Sequence, residues 1–237
     1  MAGQSPKSKV IVITGGSSGI GRTTALQLAP EGHSFLLIGR NEERLEDTCR
    51  EVEELGGKAI AATGDVASAE DVEKQYRKAI DEFGRVDVLI ANAGVGYFGN
   101  LEELTIQEYD EQFDTNVRGV FLWIKQVLPN MKERDAGQIA VTSSNLGLET
   151  SARANIYAAT KHAVQAMVGS LRKELKDTNV KAATVNPGSV STPWFDGKDV
   201  DRSKMLSAED VARAFKMIID QGKTSDIDHI HLLPTKR

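Results

Sequence analysis

Thr14-Gly15-Gly16-Ser17-Ser18-Gly19-Ile20-Gly21 is the stretch that decides the fold, because it joins a β-branched run to a segment with helical spacing. The run before it is Val10–Thr14, and the segment after it is Arg22–Leu28. Glycines let a backbone approach a ligand closely, and a helix N-terminus offers unpaired N–H groups and the positive end of a dipole. The stretch therefore predicts a strand, a tight turn and a helix around a phosphate group. For this motif alone, a glycine turn without a ligand is an alternative.

Short β-branched runs continue to alternate with longer helical segments along the whole chain. Such alternation predicts a parallel sheet, and strands that are apolar on both faces are typical of a sheet covered by helices on both sides. We therefore predict an α/β fold with a doubly wound, parallel, seven-stranded sheet. The predicted strands are Val10–Thr14, Ser34–Gly39, Ala59–Thr63, Val86–Asn92, Gln138–Ser143, Val180–Asn186 and Asp228–Leu232.

Helix starts are marked by a side-chain oxygen that is followed three residues later by a carboxylate, as in N-terminal capping. The pattern occurs at Ser68 with Asp71, at Thr105 with Glu108 and at Ser207 with Asp210. Two long helices with broad apolar faces are predicted over Thr105–Met131 and Asn155–Lys176. Residues 192–204 are rich in Gly, Asp, Lys and aromatic residues, which predicts a mobile loop.

Composition limits the possible classes of protein. The chain has 237 residues, 40% of them hydrophobic, which suits a single domain over residues 1–237. The net charge of −5, with both signs interspersed, gives no basic face for nucleic acid or anionic lipid. The polar start Met1–Lys9 and the lack of a long apolar run argue against export and against membrane insertion. We expect a soluble cytoplasmic protein.

Cysteine and histidine usage points to neither a disulfide nor a metal. Cys49 is the single cysteine, and its charged helical segment leaves a buried role and a reactive role equally open. The alternating pair His229 and His231 has no carboxylate or thiol at a metal-ligand spacing, and the other histidines, His33 and His162, are isolated. We expect no bound metal.

Several further motifs match one family. The matching positions are Asn92-Ala93-Gly94 at the end of the fourth strand, Asn116, Ser144 thirteen residues before Tyr157, Lys161 four residues after Tyr157, and Pro187-Gly188 with Thr192 after the sixth strand. With the Thr-Gly-x-x-x-Gly-Ile-Gly turn, the chain resembles the short-chain dehydrogenases/reductases over essentially its whole length. The resemblance implies a Rossmann fold and hydride transfer between a nicotinamide cofactor and a carbonyl or alcohol.

The resemblance also assigns residues to the cofactor. Asp65 is implied to hold the adenine and Thr192 the nicotinamide carboxamide. Alternatively, Thr192 could be an ordinary loop hydroxyl, and Asn92 and Asn116 could each be a turn or capping residue. The full implied set is Gly15, Ser17, Ser18, Gly19, Ile20, Gly21, Arg40, Asp65, Val66, Asn92, Ala93, Gly94, Tyr157, Lys161, Pro187, Gly188, Val190 and Thr192.

Reduction of a carbonyl leaves an oxyanion, so a proton donor is needed within hydrogen-bond reach of that oxygen. The resemblance gives this role to Tyr157, with the charge of Lys161 favouring the phenolate form and Ser144 holding the substrate oxygen. Asn116 is implied to hold a water that links Lys161 to solvent. A Tyr and a Lys four residues apart are otherwise a common surface pair, and the spacing of Ser144 favours the catalytic interpretation.

The second strand ends in Ile38-Gly39-Arg40-Asn41, without the acidic residue that usually accepts the ribose hydroxyls of NAD. A guanidinium there favours the 2′-phosphate of NADP(H), which Arg40 can grip through paired N–H donors. A solvated arginine is the alternative. Many relatives that use NADP also have a second basic residue in the glycine turn, where this chain has Ser18.

The residues expected around the substrate are largely apolar and aromatic. They are Ser144, Asn145, Leu146, Tyr97, Ile156, Trp194 and Phe195. They suit a lipophilic or aromatic ketone or aldehyde better than a multiply charged metabolite. Trp194 and Phe195 could instead only pack the loop against the protein.

The sequence therefore predicts an NADPH-dependent carbonyl reductase. The alternatives are an alcohol or sugar-alcohol dehydrogenase working in the oxidative direction and a non-catalytic protein that senses NADP. The end of the chain, Asp228–Arg237, lacks the Asp-Gly-Gly tail of many reductases of carrier-bound acyl chains. By resemblance, the two long helices would form a homodimer or homotetramer.

Overall fold

The computed structural model describes residues 8–235, and its centre is a single sheet of parallel strands. The strands are β1 (Val10–Thr14), β2 (Ser34–Gly39), β3 (Lys58–Thr63), β4 (Val88–Ala91), β5 (Gly137–Thr142), β6 (Val180–Pro187) and β7 (His229–Leu232). Their order is β3-β2-β1-β4-β5-β6-β7, and each neighbouring pair is parallel. The predicted seven-stranded, doubly wound α/β fold is confirmed. Most of the polar start Met1–Lys9 and the last two residues of the chain lie outside the described residues.

Helices cover both faces of the sheet. They are α1 (Gly19–Leu28), α2 (Glu42–Glu54), α3 (Ala69–Phe83), α4 (Ile106–Phe113), α5 (Gly119–Glu133), α6 (Asn155–Glu174) and α7 (Ala208–Ile219). Side chains alternate along a strand, so Ile11 and Ile13 face α1, α2 and α7, while Val12 faces α3, α5 and α6. Phe215 and Trp123 are fully buried, one in each layer. Burial of each such side chain contributes about 1.5–3 kcal/mol to folding.

Local sequence chemistry sets most element boundaries. β1 and β2 have the predicted bounds, whereas β4 is shorter than the predicted Val86–Asn92. All three predicted N-caps are present: Ser68, Thr105 and Ser207 each accept a hydrogen bond from the backbone N–H three residues on.

The predicted long helix Thr105–Met131 is not one regular helix. A π-helical turn, Asp114–Arg118, separates α4 from α5 and contains the buried Asn116. Such turns insert an extra residue into a helix and are frequent at functional sites. The second long helix agrees with α6 to within two residues at its end.

Residues 192–204, predicted as a loop, form two short 3₁₀ turns, Pro193–Phe195 and Arg202–Lys204. The two ends of this segment are joined to each other. The Ser191 N–H donates to the Leu206 carbonyl at 2.8 Å, and the Leu206 N–H donates to the Ser189 carbonyl at 2.9 Å. The loop is thus closed at its base, and its mobility stays a prediction.

Cys49 is buried in α2, and burial raises the pKa of its thiol to about 11, which favours the structural role over the reactive one. No helix in the described range combines the length and apolar character that a membrane crossing requires. Within residues 8–235, no three His, Cys, Asp or Glu side chains come together as metal ligands.

Candidate active site

A cavity of about 900 Å³ opens at the carboxyl ends of the central strands. The strand order explains its place. From β1 the chain first runs outward to β2 and β3, and then returns to β4 on the other side of β1. The connections after β1 and β4 therefore lead away from each other and leave a crevice between them. Residues that follow β1, β4, β5 and β6 line this crevice.

The glycine turn forms one end of the cavity, lined by Gly15, Ser18, Gly19 and Ile20. A Cβ at Gly21, just beyond them, would lie 2.2 Å from the Gly15 carbonyl oxygen. Only glycine therefore permits this close approach of the helix to the turn. Helix α1 begins there without a side-chain cap and without an acidic residue in its first turn. Its N-terminus thus offers unpaired N–H groups toward the cavity.

Asn92 connects three strands at the bottom of the cavity. Its side-chain amide donates to the Thr14 carbonyl at 3.1 Å, and its Oδ1 accepts from the Thr142 hydroxyl at 2.9 Å. The Thr14 hydroxyl in turn accepts from the N–H groups of Asn92 and Ala93, both at 2.9 Å. The ends of β1, β4 and β5 are thereby held in one register. Ala93 and Gly94 continue along the cavity wall.

Ser144, Tyr157 and Lys161 meet in the same cavity. Ser144 follows β5, and the other two side chains lie one turn apart on α6. Lys161 is buried, its Nζ donates to the Thr142 carbonyl at 3.0 Å, and it lies 5.6 Å from the centre of the Tyr157 ring. Tyr157 is exposed in part, toward the cavity.

Burial controls the protonation of this pair. It raises the pKa of Tyr157 to about 12, although the nearby Ser144 hydroxyl offsets part of the rise. Burial also lowers the pKa of Lys161 to about 8. The causes of the Tyr157 shift are desolvation and the Ser144 hydrogen bond, so the effect of Lys161 on the phenolate stays a prediction.

Asn116 lies behind the cavity wall. Its Oδ1 accepts from the Val95 N–H at 2.9 Å, and its amide donates to the Val95 carbonyl at 2.8 Å and to the Thr160 hydroxyl at 3.1 Å. These bonds fix the segment after β4 against α6. Both amide hydrogens are used by these bonds, whereas Oδ1 keeps one lone pair with which it could accept from a water.

Four predicted cofactor residues lie beyond the cavity, along the edge formed by the ends of β2 and β3. Arg40 directly follows β2 and is exposed, and Asp65 and Val66 follow β3. The Ser17 hydroxyl lies over the end of β2, 3.1 Å from where a Cβ at Gly39 would be. These residues prolong the site from the glycine turn toward the outer strands.

The opposite wall follows β6. It is lined by four residues that the sequence assigned to the cofactor: Pro187, Gly188, Val190 and Thr192. The Gly188 N–H donates to the Leu232 carbonyl at 2.8 Å, which fixes the wall to β7. Thr192 packs against the glycine turn, since a Cβ at Gly19 would lie 3.3 Å from its side chain. The two sides of the cavity thus touch at this point.

Five of the predicted substrate residues other than Ser144 line the cavity: Asn145, Leu146, Tyr97, Trp194 and Phe195. Ile156 lies outside the lining, because adjacent residues on a helix are rotated by about 100° from each other and Tyr157 is the one that faces the cavity. The Tyr97 hydroxyl donates to Glu111 at 2.5 Å, so toward a ligand it can act only as an acceptor.

Gly96, Phe98 and Lys198 also line the cavity, and sequence reasoning missed them. A Cβ at Gly96 would lie 2.6 Å from Trp194 and 2.9 Å from Tyr157. The Phe98 ring packs on Tyr157 with the ring centres 5.2 Å apart. The glycine and aromatic residues just after Asn92-Ala93-Gly94 were the sequence signal for Gly96 and Phe98, but they have no fixed spacing to Ser144, Tyr157 and Lys161.

Comparisons with known proteins agree with this geometry. A family model for short chain dehydrogenases matches residues 9–202. An uncharacterized oxidoreductase of Listeria innocua is 38% identical over 241 residues, which cover 97% of each chain. The alcohol dehydrogenase from the archaeon Thermococcus sibiricus, complexed with 5-hydroxy-NADP, has a TM-score of 0.91 at 32% identity and 98% coverage of both chains.

A metagenomic short-chain oxidoreductase in complex with NADP has a TM-score of 0.86 at 27% identity, with 99% of this chain and 100% of that chain covered. The relatives therefore match nearly the full length of the chain. On these grounds, the chain belongs to the short-chain dehydrogenase family of oxidoreductases.

Proposed function

We propose that the chain is an NADPH-dependent oxidoreductase that reduces the carbonyl group of a ketone or aldehyde, with Tyr157 as the proton donor. The observation that carries this proposal is the meeting of the glycine turn, Ser144, Tyr157 and Lys161 in one cavity. Initial rates of NADPH and NADH oxidation against a panel of aliphatic, aromatic, sugar-derived and acyl-thioester carbonyls test it. Lack of turnover with every carbonyl, despite tight NADPH binding, would instead favour a sensing protein.

The residues present fit a dinucleotide. The uncapped N-terminus of α1 offers N–H groups to a pyrophosphate. Gly21 has no side chain, so the helix can lie directly against the turn. Asp65 and Val66 would hold the adenine end, and Thr192 with Lys161 the nicotinamide end. When bound, the cofactor supplies the hydride that reduces the carbonyl carbon.

Ser144 and Tyr157 would act on the substrate oxygen. The buried Ser144 hydroxyl accepts from the Leu146 N–H at 3.1 Å and donates to Asn145 Oδ1 at 3.1 Å, and it would turn this hydrogen toward a bound substrate oxygen. It would stabilise the negative charge that develops on the oxygen. Tyr157, held as a phenol by burial, would then transfer its proton to that oxygen. The phenolate that remains lies beside the Lys161 ammonium.

The protonation states favour the reductive direction. Reduction requires a phenol that can give a proton, and oxidation requires a phenolate that can accept one, so a Tyr157 pKa of about 12 suits reduction at neutral pH. Oxidation of alcohols by the same residues is the second candidate, and it is favoured by the similarity to the Thermococcus sibiricus protein, which is an alcohol dehydrogenase.

The pH dependence provides one test of this scheme. Lys161 carries its proton below a pKa of about 8 and loses it above that pH, so the phenolate left by Tyr157 loses its stabilising charge as pH rises. We expect kcat/KM for carbonyl reduction to be constant between about pH 6 and 7 and to fall by up to about tenfold per unit above pH 8. Oxidation of the corresponding alcohol should rise with pH. Reduction that becomes faster above pH 8 would contradict these roles.

NADP(H) is proposed over NAD(H) because of Arg40. It is the first residue after β2, and the Ser17 hydroxyl lies over the same strand end. A guanidinium and a hydroxyl are donors suited to a 2′-phosphate, and the structures of two relatives are complexes with NADP or a derivative of it.

Replacing Arg40 with glutamine tests this assignment. A hydrogen-bonded charge pair contributes about 1.5–3 kcal/mol, so the Kd for NADPH should rise about 10- to 100-fold while that for NADH stays unchanged. Both constants can be measured by titration of the cofactor's fluorescence. Arg50→Gln is the matched control, because Arg50 is exposed on the neighbouring α2 and pairs with Asp47. If Arg40→Gln raised the Kd for NADPH and the Kd for NADH equally, Arg40 would have a role in folding and not in recognition of the 2′-phosphate.

We also propose that the substrate is apolar or aromatic around its carbonyl, since Leu146, Phe98 and Trp194 surround Tyr157 or line its cavity. Association into a homodimer or homotetramer is proposed as well. Its support is the exposure of Ile106 and Phe121, on α4 and α5, as large apolar side chains.

A further inference from the structure

Lys198 lies at the mouth of the cavity, surrounded by aromatic rings. Its Nζ is 5.5 Å from the ring centre of Phe195, 5.8 Å from that of Trp194 and 6.0 Å from that of Phe98. The faces of aromatic rings attract a cation, so these contacts hold the ammonium group at one place. Two of these rings, Trp194 and Phe98, also pack on Tyr157. A single aromatic layer therefore separates the proton donor from Lys198.

A tight turn of the backbone sets the position of Lys198 at the cavity mouth. The Lys198 N–H donates to the Phe195 carbonyl at 3.1 Å, and Gly197 has a φ of +75° at the third position of the turn. With Asp196 at φ −62° and ψ 132°, this is a type II turn, which requires glycine at that position. The turn brings Lys198 back over the aromatic side chains that precede it.

The charge of Lys198 has no counter-charge within the described residues. Two other charged side chains line the cavity, and both are engaged: Lys161 donates to Thr142, and Glu108 accepts from the N–H and hydroxyl of Thr105. Asp196, close to Lys198 in the turn, pairs with Arg202. Within residues 8–235 no carboxylate comes within 4.0 Å of Lys198.

We propose that Lys198 binds a carboxylate at the far end of the substrate. Resting on the proposed function, this narrows the substrate class to ketones and aldehydes that carry an aromatic or apolar body and a single carboxylate. The carbonyl would lie at Ser144 and Tyr157, the body along Phe98 and Trp194, and the carboxylate at Lys198. A substrate with a single carboxylate fits this site, because Lys198 is the one cation among the described lining residues whose charge is not engaged within the protein.

Matched acid and ester substrates test the proposal. The substrates are 3-(4-formylphenyl)propanoate and 4-(4-formylphenyl)butanoate, each compared with its methyl ester, which removes the charge while the methylene spacer leaves the reactivity of the aldehyde unchanged. The measured quantity is the ratio of kcat/KM for acid over ester with NADPH. We expect a ratio of about 2 to 5 for at least one pair, the upper part of the range for an exposed ion pair, since Lys198 is exposed.

Variants of Lys198 then decide its role. Lys198→Gln should bring the ratio to about one, and Lys198→Arg should keep it above one because the charge remains. Lys204→Gln is the control, since Lys204 lies in the same loop but does not line the cavity. A ratio near one in the unmodified protein, or an unchanged ratio in Lys198→Gln, would overturn the proposal. So would a higher KM for NADPH with acid and ester equally affected, because Lys198 would then act on the cofactor.

Failure of the proposed function would look different. If neither these acids and esters nor any carbonyl of the wider panel is reduced, the reductase assignment fails, and the role of Lys198 is then tested by ligand binding alone. The probe is 3-(4-hydroxymethylphenyl)propanoate, whose binding next to Trp194 should quench tryptophan fluorescence, whereas Trp123 is fully buried in the core. A roughly 2- to 5-fold higher Kd in Lys198→Gln supports the carboxylate site, and an equal Kd overturns it.

Discussion

Tyr157→Phe is expected to lower kcat by about 10²- to 10⁴-fold, because it removes the group that would give a proton to the substrate oxygen. The change deletes a hydroxyl and keeps the ring that packs between Phe98 and Trp194. The fold and the Kd for NADPH should therefore stay close to those of the unmodified protein. Stopped-flow or steady-state NADPH oxidation gives the rate, and fluorescence titration gives the Kd.

A matched control separates the loss of this hydroxyl from a general effect of the substitution. Tyr76→Phe removes the hydroxyl of a tyrosine on α3 that packs against the core, away from the cavity. Its rate should match that of the unmodified protein. Activity retained within about tenfold in Tyr157→Phe would show that another group supplies the proton, and the mechanism would have to be rebuilt around that group.

Gly21→Ala should weaken NADPH binding by about 10- to 100-fold and lower Tm by several degrees. The new Cβ would lie 2.2 Å from the Gly15 carbonyl oxygen, a backbone atom that cannot rotate away, so turn and helix must separate. Overpacking of this kind costs about 1–3 kcal/mol, which corresponds to a few degrees per kcal/mol in a domain of this size. Thermal unfolding with and without NADPH measures both effects.

Gly169→Ala is the control for that substitution. Gly169 lies within α6, and a Cβ there would meet no atom within 4 Å. Because alanine favours a helix over glycine by about 0.5–1 kcal/mol, Tm should stay the same or rise. If Gly21→Ala binds NADPH as well as Gly169→Ala does, the close approach at the turn is not what forms the phosphate site.

The sequence predicted the fold well where local chemistry determines structure. β1 and β2 have the predicted bounds because each is a β-branched or apolar run that ends at a glycine or at the glycine turn. The caps at Ser68, Thr105 and Ser207 follow from side-chain oxygens at defined spacing. The site residues with fixed spacing, Ser144, Tyr157 and Lys161, lie together as that spacing implies.

The features that the sequence missed depend on distant parts of the chain. The π turn around Asn116 is stabilised by bonds to Val95 and Thr160, which no local pattern encodes. The pKa of Tyr157 depends on how much protein surrounds it, and the sequence suggested only its nearest charge. Lys198 resembles several other exposed lysines in the sequence until the rings of Phe98 and Trp194 are seen around it.

The hydrogen bonds that close the base of the loop 192–204 affect how the sequence of this loop can change during evolution. The backbone bonds between Ser191 and Leu206, and between Leu206 and Ser189, hold its two ends side by side regardless of what lies between them. Lengthening a loop whose ends are already joined adds only about 0.6 kcal/mol of entropy per doubling. Insertions or exchanged segments there can thus alter which molecules are accepted while β6, α7 and the reacting groups keep their positions. Diversification of substrate choice is separable, in this architecture, from preservation of the chemistry.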